Sequence, residues 1–264
     1  MKKSVVLLAN DRPGLEVCKY LRENGDTIAR LYVHEPEHQK YGEEIIAASG
    51  CSPQDVFLAP LLKDPRHVAR MAALQPDFII TVYWAYLINQ DVVAAATQGT
   101  VNFHPAMLPI NRGWFPHVHS ILDGSPTGVT LHSIDATADT GPIYAQREFP
   151  LQPLDTAYTI YHRLQAEIVN LFRETWPKIA AGAIAPTPQD ESRAVYHKKS
   201  EIGKLDHLDL DAVMKVRDVI NLLRARSFGD LGFAYYEQDG QKVYLKLSLN
   251  STHSFNTPSS ARAA

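Results

Sequence analysis

The sequence of 264 residues contains little cysteine and no long apolar run. Its two cysteines, Cys18 and Cys51, are too few for a disulfide framework, and neither has a histidine or cysteine cluster beside it. No apolar stretch approaches the length that a transmembrane helix needs. The apolar stretch near the start, residues 4–9, is too short for a signal peptide and is typical of a first strand. We therefore expect a cytoplasmic protein without a membrane partner.

Blocks of basic charge, a glycine-rich phosphate loop and a metal-binding pattern are also missing. Lys and Arg number 26 against 29 Asp and Glu, and no basic run is longer than Lys198-Lys199, so no nucleic-acid partner is expected. Gly14 stands alone where a Gly-x-Gly-x-x-Gly loop would indicate a nicotinamide or flavin cofactor. His117 and His119 do not face each other on a helix, and we expect no metal.

What is present is an alternation of short apolar strands and amphipathic helices. The order of strand 4–9, helix 15–24 and strand 27–34 predicts parallel strands joined by a right-handed crossover. We expect an α/β fold: a Rossmann-like, mostly parallel sheet with helices on both faces. The further predicted elements are strands at 77–83 and 102–104, a hairpin of 128–133 with 143–149, and helices at 43–48, 65–74, 90–97 and 156–181.

The last sixty residues predict a small appendage. A helix over 211–226 precedes two alternating strands, 233–236 and 242–249, which flank the hairpin signal Asp239-Gly240. We divide the chain into a main domain at 1–195, a helix and β-hairpin region at 205–250, and a disordered tail at 251–264. Because a lone hairpin is only marginally stable in water, it must pack on the domain or on a partner, and we predict a homodimer through this region.

The most informative stretch is 100–113. Asn102 and His104 alternate with apolar residues at the end of a predicted strand, so their side chains share one face. Pro105 and Pro109 then stop the strand. Open α/β sheets carry ligand sites at the carboxyl ends of their strands. Taken alone, the two side chains also fit a strand cap that bonds loop backbone.

Three ordered motifs remove much of that ambiguity. They are Asn102-x-His104, the His-Pro-x-x-Leu-Pro-x-x-x-Gly run that ends at Gly113, and Gly128-Val129-Thr130-Leu131-His132 followed by Asp139-Thr140-Gly141. Together they resemble the folate-dependent formyltransferase family. The run 111–116 and the segment 220–228 are most similar to sugar-nucleotide N-formyltransferases. One departure is Ala106, where members often have Ser.

The resemblance implies the fold of the main domain and a catalytic triad. Formyl transfer passes through a tetrahedral centre whose negative oxygen needs hydrogen-bond donors. The resemblance assigns Asn102 and His104 as those donors, and Asp139 as the group that holds the histidine and assists proton transfer. A residue such as Asp139 would otherwise be read as an ordinary turn residue before Thr-Gly-Pro.

The resemblance also indicates binding residues. For 10-formyltetrahydrofolate as cosubstrate they are Trp84, Ala85, Tyr86, Leu87, Ala136, Thr137 and Ala138. For the acceptor they are Arg112, Gly113, Trp114, Phe115, Arg224, Arg226 and Phe228, with Arg as a phosphate partner and the aromatic rings as stacking faces. Each aromatic residue also fits a core position, and each arginine a solvated charge.

The predicted function is formyl transfer from 10-formyltetrahydrofolate to the amine of a dTDP- or GDP-linked amino-deoxysugar, in O-antigen or similar surface glycan (lipopolysaccharide) biosynthesis. Two alternatives stay open. One is a methionyl-tRNA or glycinamide ribonucleotide formyltransferase, although a tRNA enzyme must neutralise many phosphates and this chain has no basic excess. The other is a formyltetrahydrofolate hydrolase, since water could replace the amine.

Overall fold

A seven-stranded sheet forms the centre of the protein in a computed structural model that describes residues 2–251. The predicted disordered tail lies, but for Ser251, outside the described residues. The seven strands of this sheet are β1 (Ser4–Ala9), β2 (Thr27–Val33), β3 (Val56–Leu58), β4 (Phe78–Val82), β5 (Gly99–His104), β7 (Gly128–His132) and β8 (Ile143–Glu148). The other described strands form two-stranded pairs: β6 (Arg112–Gly113) with β9 (Tyr196–His197), β10 (Ser227–Phe228) with β11 (Leu231–Gly232), and β12 (Ala234–Gln238) with β13 (Gln241–Leu245).

The order across the sheet is β3-β2-β1-β4-β5-β7-β8. The first five strands in this order are parallel, and β7 is antiparallel to both β5 and β8. The predicted α/β class and the predicted hairpin are therefore confirmed. Strand β3 was not predicted, because its three residues give too short a pattern to recognise.

Helices cover both faces of the sheet, as predicted. They are α1 (Asp11–Glu23), α2 (Gly42–Ser49), α3 (Pro65–Ala72), α4 (Gln90–Ala94), α5 (Pro116–Asp123), α6 (Ala157–Ala180) and α7 (Val216–Ala225). Alternate residues of β1 enter different cores: Val5 and Leu7 pack with α6, whereas Val6 and Leu8 pack with α3 and α4. Such alternation on one strand means that both faces of the sheet are buried.

The helix α6 crosses one face of the sheet on a stripe of buried residues. Ile160, Leu164, Ile168 and Phe172 are almost fully buried. Trp176 is buried as well, and its indole N–H donates to Asp26 Oδ2 at 2.7 Å. The apolar spacing of three and four residues predicted this contact face.

The C-terminal region differs in detail from its prediction. The helix begins at Val216 rather than at residue 211. The reason is local: Asp209 accepts the N–H of Asp211 on its side chain and that of Ala212 on its carbonyl, and such bonds compete with helix formation. The hairpin of β12 and β13 is confirmed, with Asp239 and Gly240 both at positive φ in the turn.

Among the described helices, none combines the length and apolar character that crossing a bilayer requires. The domain boundaries at 195, 205 and 250 stay predictions. An unpredicted pairing of β6 with β9 joins the loop after Asn111 to the segment that leads into the C-terminal region. This pairing brings residues near 189–197 against the loop of the Asn102-x-His104 motif.

Candidate active site

A cavity of about 870 Å³ opens at the carboxyl ends of β1, β4 and β5. Parallel sheets carry ligand sites at this edge. The predicted site residues that line the cavity are Asn102, His104, Asp139, Trp84, Ala85, Tyr86, Leu87, Ala136, Thr137, Ala138, Gly113, Trp114, Phe115, Arg226 and Phe228. Segments 84–87, 102–104, 113–115, 136–139 and 226–228 are thus brought to one concave surface, although they are far apart in sequence.

The amide of Asn102 is oriented by partners on the two neighbouring strands. Thr81 of β4 donates its hydroxyl to Asn102 Oδ1. His132 lies opposite Asn102 in the β5–β7 pair, with His132 Nε2 2.9 Å from Asn102 Nδ2. His132 Nδ1 is 2.7 Å from the Ser133 carbonyl, which can only accept, so the neutral ring keeps its lone pair on Nε2. One amide N–H of Asn102 is thereby held by His132, and the amide nitrogen also has a long contact of 3.5 Å with Asp139 Oδ1.

Burial keeps His132 neutral. Removal from water lowers its pKa to about 4, and the nearby Asp139 carboxylate only partly offsets this. His132 is not among the functional residues predicted from the sequence. A signal was present, because the strand alternation placed it on one face with Thr130, directly before the Asp139 loop.

The ring of His104 is also fixed by a backbone carbonyl. His104 Nε2 lies 2.9 Å from Asn111 O, and since a carbonyl only accepts, Nε2 carries a proton. The other ring nitrogen, Nδ1, lies 3.4 Å from Asp139 Oδ1. The single N–H of a neutral His104 ring is therefore bonded to the Asn111 carbonyl. This corrects the prediction that His104 donates an N–H to the oxyanion.

The carboxylate of Asp139 joins the groups of this site. Its Oδ1 lies 3.5 Å from Asn102 Nδ2 and 3.7 Å from His132 Nε2, in addition to the 3.4 Å contact with His104. Its Oδ2 accepts the backbone N–H of Gly113 at 2.9 Å. Asp139 adopts a φ of 59°, a left-handed conformation that is strained in a non-glycine residue and that clusters at functional sites. The arrangement can take a proton from a bound group and stabilise the resulting imidazolium.

The cavity wall also carries polar residues that were not predicted from the sequence. Tyr161 donates its hydroxyl to Asp11 Oδ2 at 2.7 Å, and Lys40 Nζ lies 3.4 Å from the same oxygen. Burial lowers the pKa of His117 to about 3, with a smaller contribution from the Arg226 charge. Asp11, His117 and Tyr161 come from three different helices and Lys40 from a loop, so no local pattern links them.

Two of the predicted acceptor-binding arginines do not reach the cavity, which corrects their predicted phosphate contacts. The buried guanidinium of Arg112 donates to Glu191 at 2.6 and 2.9 Å and to Gln189 Oε1 at 2.7 and 3.2 Å. Arg224 donates to the carbonyls of Asp155 and Gln152 at 2.7 and 2.9 Å. Both guanidinium groups thus link separate segments of the chain instead of facing the cavity.

The aromatic residues of the predicted folate segment are only partly core residues. Trp84 stacks on His34, with ring centroids 4.4 Å apart, and Tyr86 donates its hydroxyl to Glu35 at 2.9 Å. Leu87 is 83% exposed at the cavity rim. An apolar side chain so exposed at the mouth of a cavity is available for a ligand to cover.

One cluster in the described residues has the composition of a metal site and lies outside the cavity. His119, His197 and Glu201 bring their ligand atoms within 4.8 Å of one another. The two imidazole rings stack at 3.4 Å and 5°, so their in-plane lone pairs run parallel rather than converging on one ion. His197 Nε2 is also 3.0 Å from Asn111 Oδ1. The absence of a metal stays a prediction.

The family model described as formyl transferase matches residues 4–175. The chain belongs to the formyl transferase family. A second family model, described as the N-formyltransferase dimerization C-terminal domain, matches residues 201–251. The two matches lie in the main domain and in the helix and hairpin region, respectively.

Solved structures of formyltransferases resemble this family member over most of its length. A sugar N-formyltransferase from Shewanella sp. FDAARGOS_354 has a TM-score of 0.81 and 25% identity, covering 95% of this chain and 99% of that one. The formyltransferase PseJ from Anoxybacillus kamchatkensis, in complex with UDP-4,6-dideoxy-4-formamido-L-AltNAc and tetrahydrofolate, has a TM-score of 0.55 and 30% identity, covering 83% and 97%.

Curated relatives that match part of the chain are methionyl-tRNA formyltransferases. The methionyl-tRNA formyltransferase of Roseiflexus sp. (strain RS-1) is 41% identical over 144 residues, which are 54% of this chain and 44% of that protein. The chain thus matches less than half the length of this curated relative.

Proposed function

We propose that this protein transfers the formyl group of 10-formyltetrahydrofolate to the amine of a nucleotide-linked amino-deoxysugar. The observation that carries the proposal is the convergence of Asn102, His104 and Asp139 at the wall of one large cavity. It is supported by the similarity to the Shewanella sugar N-formyltransferase along nearly the whole of both chains.

The proposed reaction exchanges one C–N bond for another. The neutral amine attacks the formyl carbon, and its electron pair forms the new bond while the carbonyl oxygen becomes negative. The amide N–H of Asn102 that His132 does not hold exchanges its long contact with Asp139 for a hydrogen bond to this oxygen. The lone pair on Nδ1 of His104 takes the proton that the attacking nitrogen sheds, and Asp139 stabilises the imidazolium.

Collapse of the tetrahedral centre then breaks the bond from the formyl carbon to N10 of the folate. N10 receives the proton from His104 Nδ1 as it leaves. The products are the formamido sugar and tetrahydrofolate, and the ring of His104 returns to its initial state. No proton or electron is gained or lost overall.

The cavity of about 870 Å³ lies near the upper end of the range, about 300–1,000 Å³, that a single ligand site occupies. We therefore assign the two ligands by the chemistry of the lining rather than by volume. We assign the folate to the end at Trp84, Leu87 and the 136–138 loop, where the rim is apolar. We assign the nucleotide sugar to the end with Lys40, where Arg226 and Phe228 supply a cation and a ring.

Further parts of the proposal rest on the family. We propose a cytoplasmic homodimer joined through residues 201–251, because the matching family model is described as a dimerization domain. We also propose a role in O-antigen or similar surface glycan biosynthesis. A dTDP- or GDP-linked sugar remains our prediction, although the PseJ complex contains a UDP-linked one.

A second candidate is formylation of methionyl-tRNA, which the 41% identity to the Roseiflexus protein favours. The test supplies 10-formyltetrahydrofolate with dTDP-, GDP- and UDP-linked amino sugars and, separately, with methionyl-tRNA, and identifies products by mass spectrometry. We expect a formamide only on a sugar. Efficient formylation of the tRNA alone would overturn the proposal, and tetrahydrofolate release without any formamide would indicate a hydrolase.

A further inference from the structure

The turn that carries Asp139 has a closely packed backbone with one residue in the left-handed conformation. Asp139 lies at a φ of 59°, and Gly141 approaches the Ser133 carbonyl so closely that an added Cβ would stand 1.8 Å from its oxygen. A strained turn keeps its geometry only when surrounding contacts determine it. The position of the Asp139 carboxylate therefore depends on what holds residues 139–141.

The carboxamide of Gln189 supplies that contact. Its Nε2 donates to the carbonyl of Asp139 at 2.8 Å and to that of Gly141 at 2.8 Å, so one side chain ties both ends of the turn. Gln189 does not line the cavity. It therefore acts on the site through the backbone rather than by touching substrate.

The other end of the Gln189 carboxamide, Oε1, is fixed by Arg112. This oxygen accepts hydrogen bonds from Arg112 Nε at 3.2 Å and Nη2 at 2.7 Å. Arg112 is buried and pairs with Glu191 through two further hydrogen bonds. Because a guanidinium presents its donors in a rigid plane, this contact fixes the carboxamide with Nε2 toward the turn.

The tripeptide of residues 111–113 contacts both His104 and Asp139, which form the proposed proton-transfer pair. Asn111 accepts the Nε2 proton of His104 on its carbonyl, and Gly113 donates its N–H to Asp139 Oδ2. Arg112 stands between them and holds Gln189. The 3.4 Å separation of His104 Nδ1 and Asp139 Oδ1 is thus set by residues 111–113 together with Gln189.

We propose that Gln189 is a positioning residue, which aligns Asp139 with His104 and so sets the turnover rate. This inference rests on the proposed function, and it assigns to Arg112 and Glu191 the role of holding Gln189. Misalignment of a proton-transfer pair lowers the rate of the chemical step, whereas the ligand contacts in the cavity remain.

The first test compares Gln189→Glu with Gln54→Glu. Gln189→Glu keeps the size of the side chain and the acceptor for Arg112, but it replaces the Nε2 donor with an oxygen that faces two carbonyls. We expect kcat to fall about tenfold or more, with both KM values changed by less than about twofold. Gln54→Glu makes the same chemical change at an exposed position that does not line the cavity, so its kcat should stay within about twofold. A normal kcat for Gln189→Glu, or a loss confined to KM, would overturn the proposal.

A double-mutant cycle distinguishes positioning from a general structural defect. In an Asp139→Asn background, Gln189→Glu should cause no further loss of kcat, because its effect passes through the Asp139 carboxylate. Losses that multiply would contradict the inference. If Gln189→Glu does not fold, Gln189→Met, which is of similar size and has no donor, takes its place in both experiments.

A measurement without substrate separates this inference from the proposed function. The ¹⁵N resonances of the His104 ring report its proton positions in the unliganded protein, and we expect Gln189→Glu to shift the Nδ1 signal while Gln54→Glu leaves it in place. If the wild type formylates no acceptor but the signal shifts, the proposed function fails and the positioning role stands. An unchanged signal would overturn the positioning role.

Discussion

At the scale of single residues, the site depends on which atom of each polar group is already engaged. Asn102 has one amide proton held by His132, and His104 has its Nε2 proton held by Asn111. The other N–H of Asn102 has only a long contact with Asp139, and Nδ1 of His104 keeps its lone pair, so these two groups can take part in the reaction. Asp139 lies beside both of these atoms.

Replacement of the three catalytic candidates should abolish most turnover without unfolding the protein. We expect Asn102→Ala, His104→Ala and Asp139→Asn each to lower kcat by about 100-fold or more, the usual scale for an oxyanion donor or an acid–base group. Steady-state kinetics and thermal unfolding check this. Asp91→Asn on the exposed side of α4 is the matched control and should keep normal turnover. Near-normal kcat in any of the three would remove that residue from the mechanism.

Buried neutral histidines make the fold sensitive to acid. Burial lowers the pKa of His132 to about 4 and that of His117 to about 3, both from an ordinary value of 6.5. Below pH 6.5 the unfolded chain binds protons that the folded protein does not bind, so the free energy of unfolding falls as the pH decreases. Above pH 7 these groups are neutral in both states and contribute no slope.

We therefore expect urea unfolding to show a stability plateau above pH 7 and a decline between about pH 6.5 and 4, with up to about 1.4 kcal/mol per pH unit from each such histidine. His117→Gln should reduce the slope over that range, whatever its effect on stability at pH 7. An equal slope in the variant and the wild type would show that His117 does not contribute.

At the scale of elements, α6 joins the main core to the edge of the cavity. Its buried stripe packs on the sheet, while Tyr161 from its first turns bonds Asp11 in the cavity wall. Stability and site geometry are therefore linked along one helix.

Truncation of this stripe should be costly. Ile168 is fully buried, and Ile168→Ala removes three methyl or methylene carbons and leaves a cavity, so we expect a loss of about 2–5 kcal/mol. Asn170→Ala, at an exposed position two residues away, should change stability by less than about 0.5 kcal/mol. Equilibrium unfolding in urea measures both. Equal losses in the two variants would mean that the buried face of α6 contributes no more to the free energy of unfolding than its exposed face.

At the scale of the whole molecule, the C-terminal region exposes several large apolar side chains. Tyr244 is 61% exposed and Leu231 is 59% exposed, and Val243 and Phe233 are also exposed. Apolar side chains of this size lose contact with water when a partner covers them, which favours association. Its location within residues 201–251 agrees with the proposed dimer.

A charge placed in this surface should dissociate the dimer. We expect wild-type protein to sediment as a dimer and Tyr244→Glu as a monomer, because a carboxylate would lose its water on association. Gln238→Glu introduces the same charge at an exposed polar position of the same hairpin and should remain dimeric. A monomeric wild type would refute the dimer, and a dimeric Tyr244→Glu would move the interface elsewhere.

Much of the fold could be predicted because its signals are local. The two cores on β1 follow from alternation along one strand, the stripe of α6 from helical spacing, and the final hairpin from Asp239-Gly240. The motifs around Asn102, His104 and Asp139 likewise carried the family resemblance. In each case residues close together in the sequence contain the whole pattern, so the pattern can be recognised without knowing which distant segments meet in the fold.

The sequence by itself determined the α/β class, the order of the main elements and the family. Only the tertiary structure decided which partner each polar atom takes. Arg112 is an expected phosphate ligand until Glu191, 79 residues away, is brought against it, and His132 acquires a role only through the β5–β7 register. Hydrogen bonds and ion pairs act over a few ångströms, so the chain must fold before the chemistry of these side chains is set.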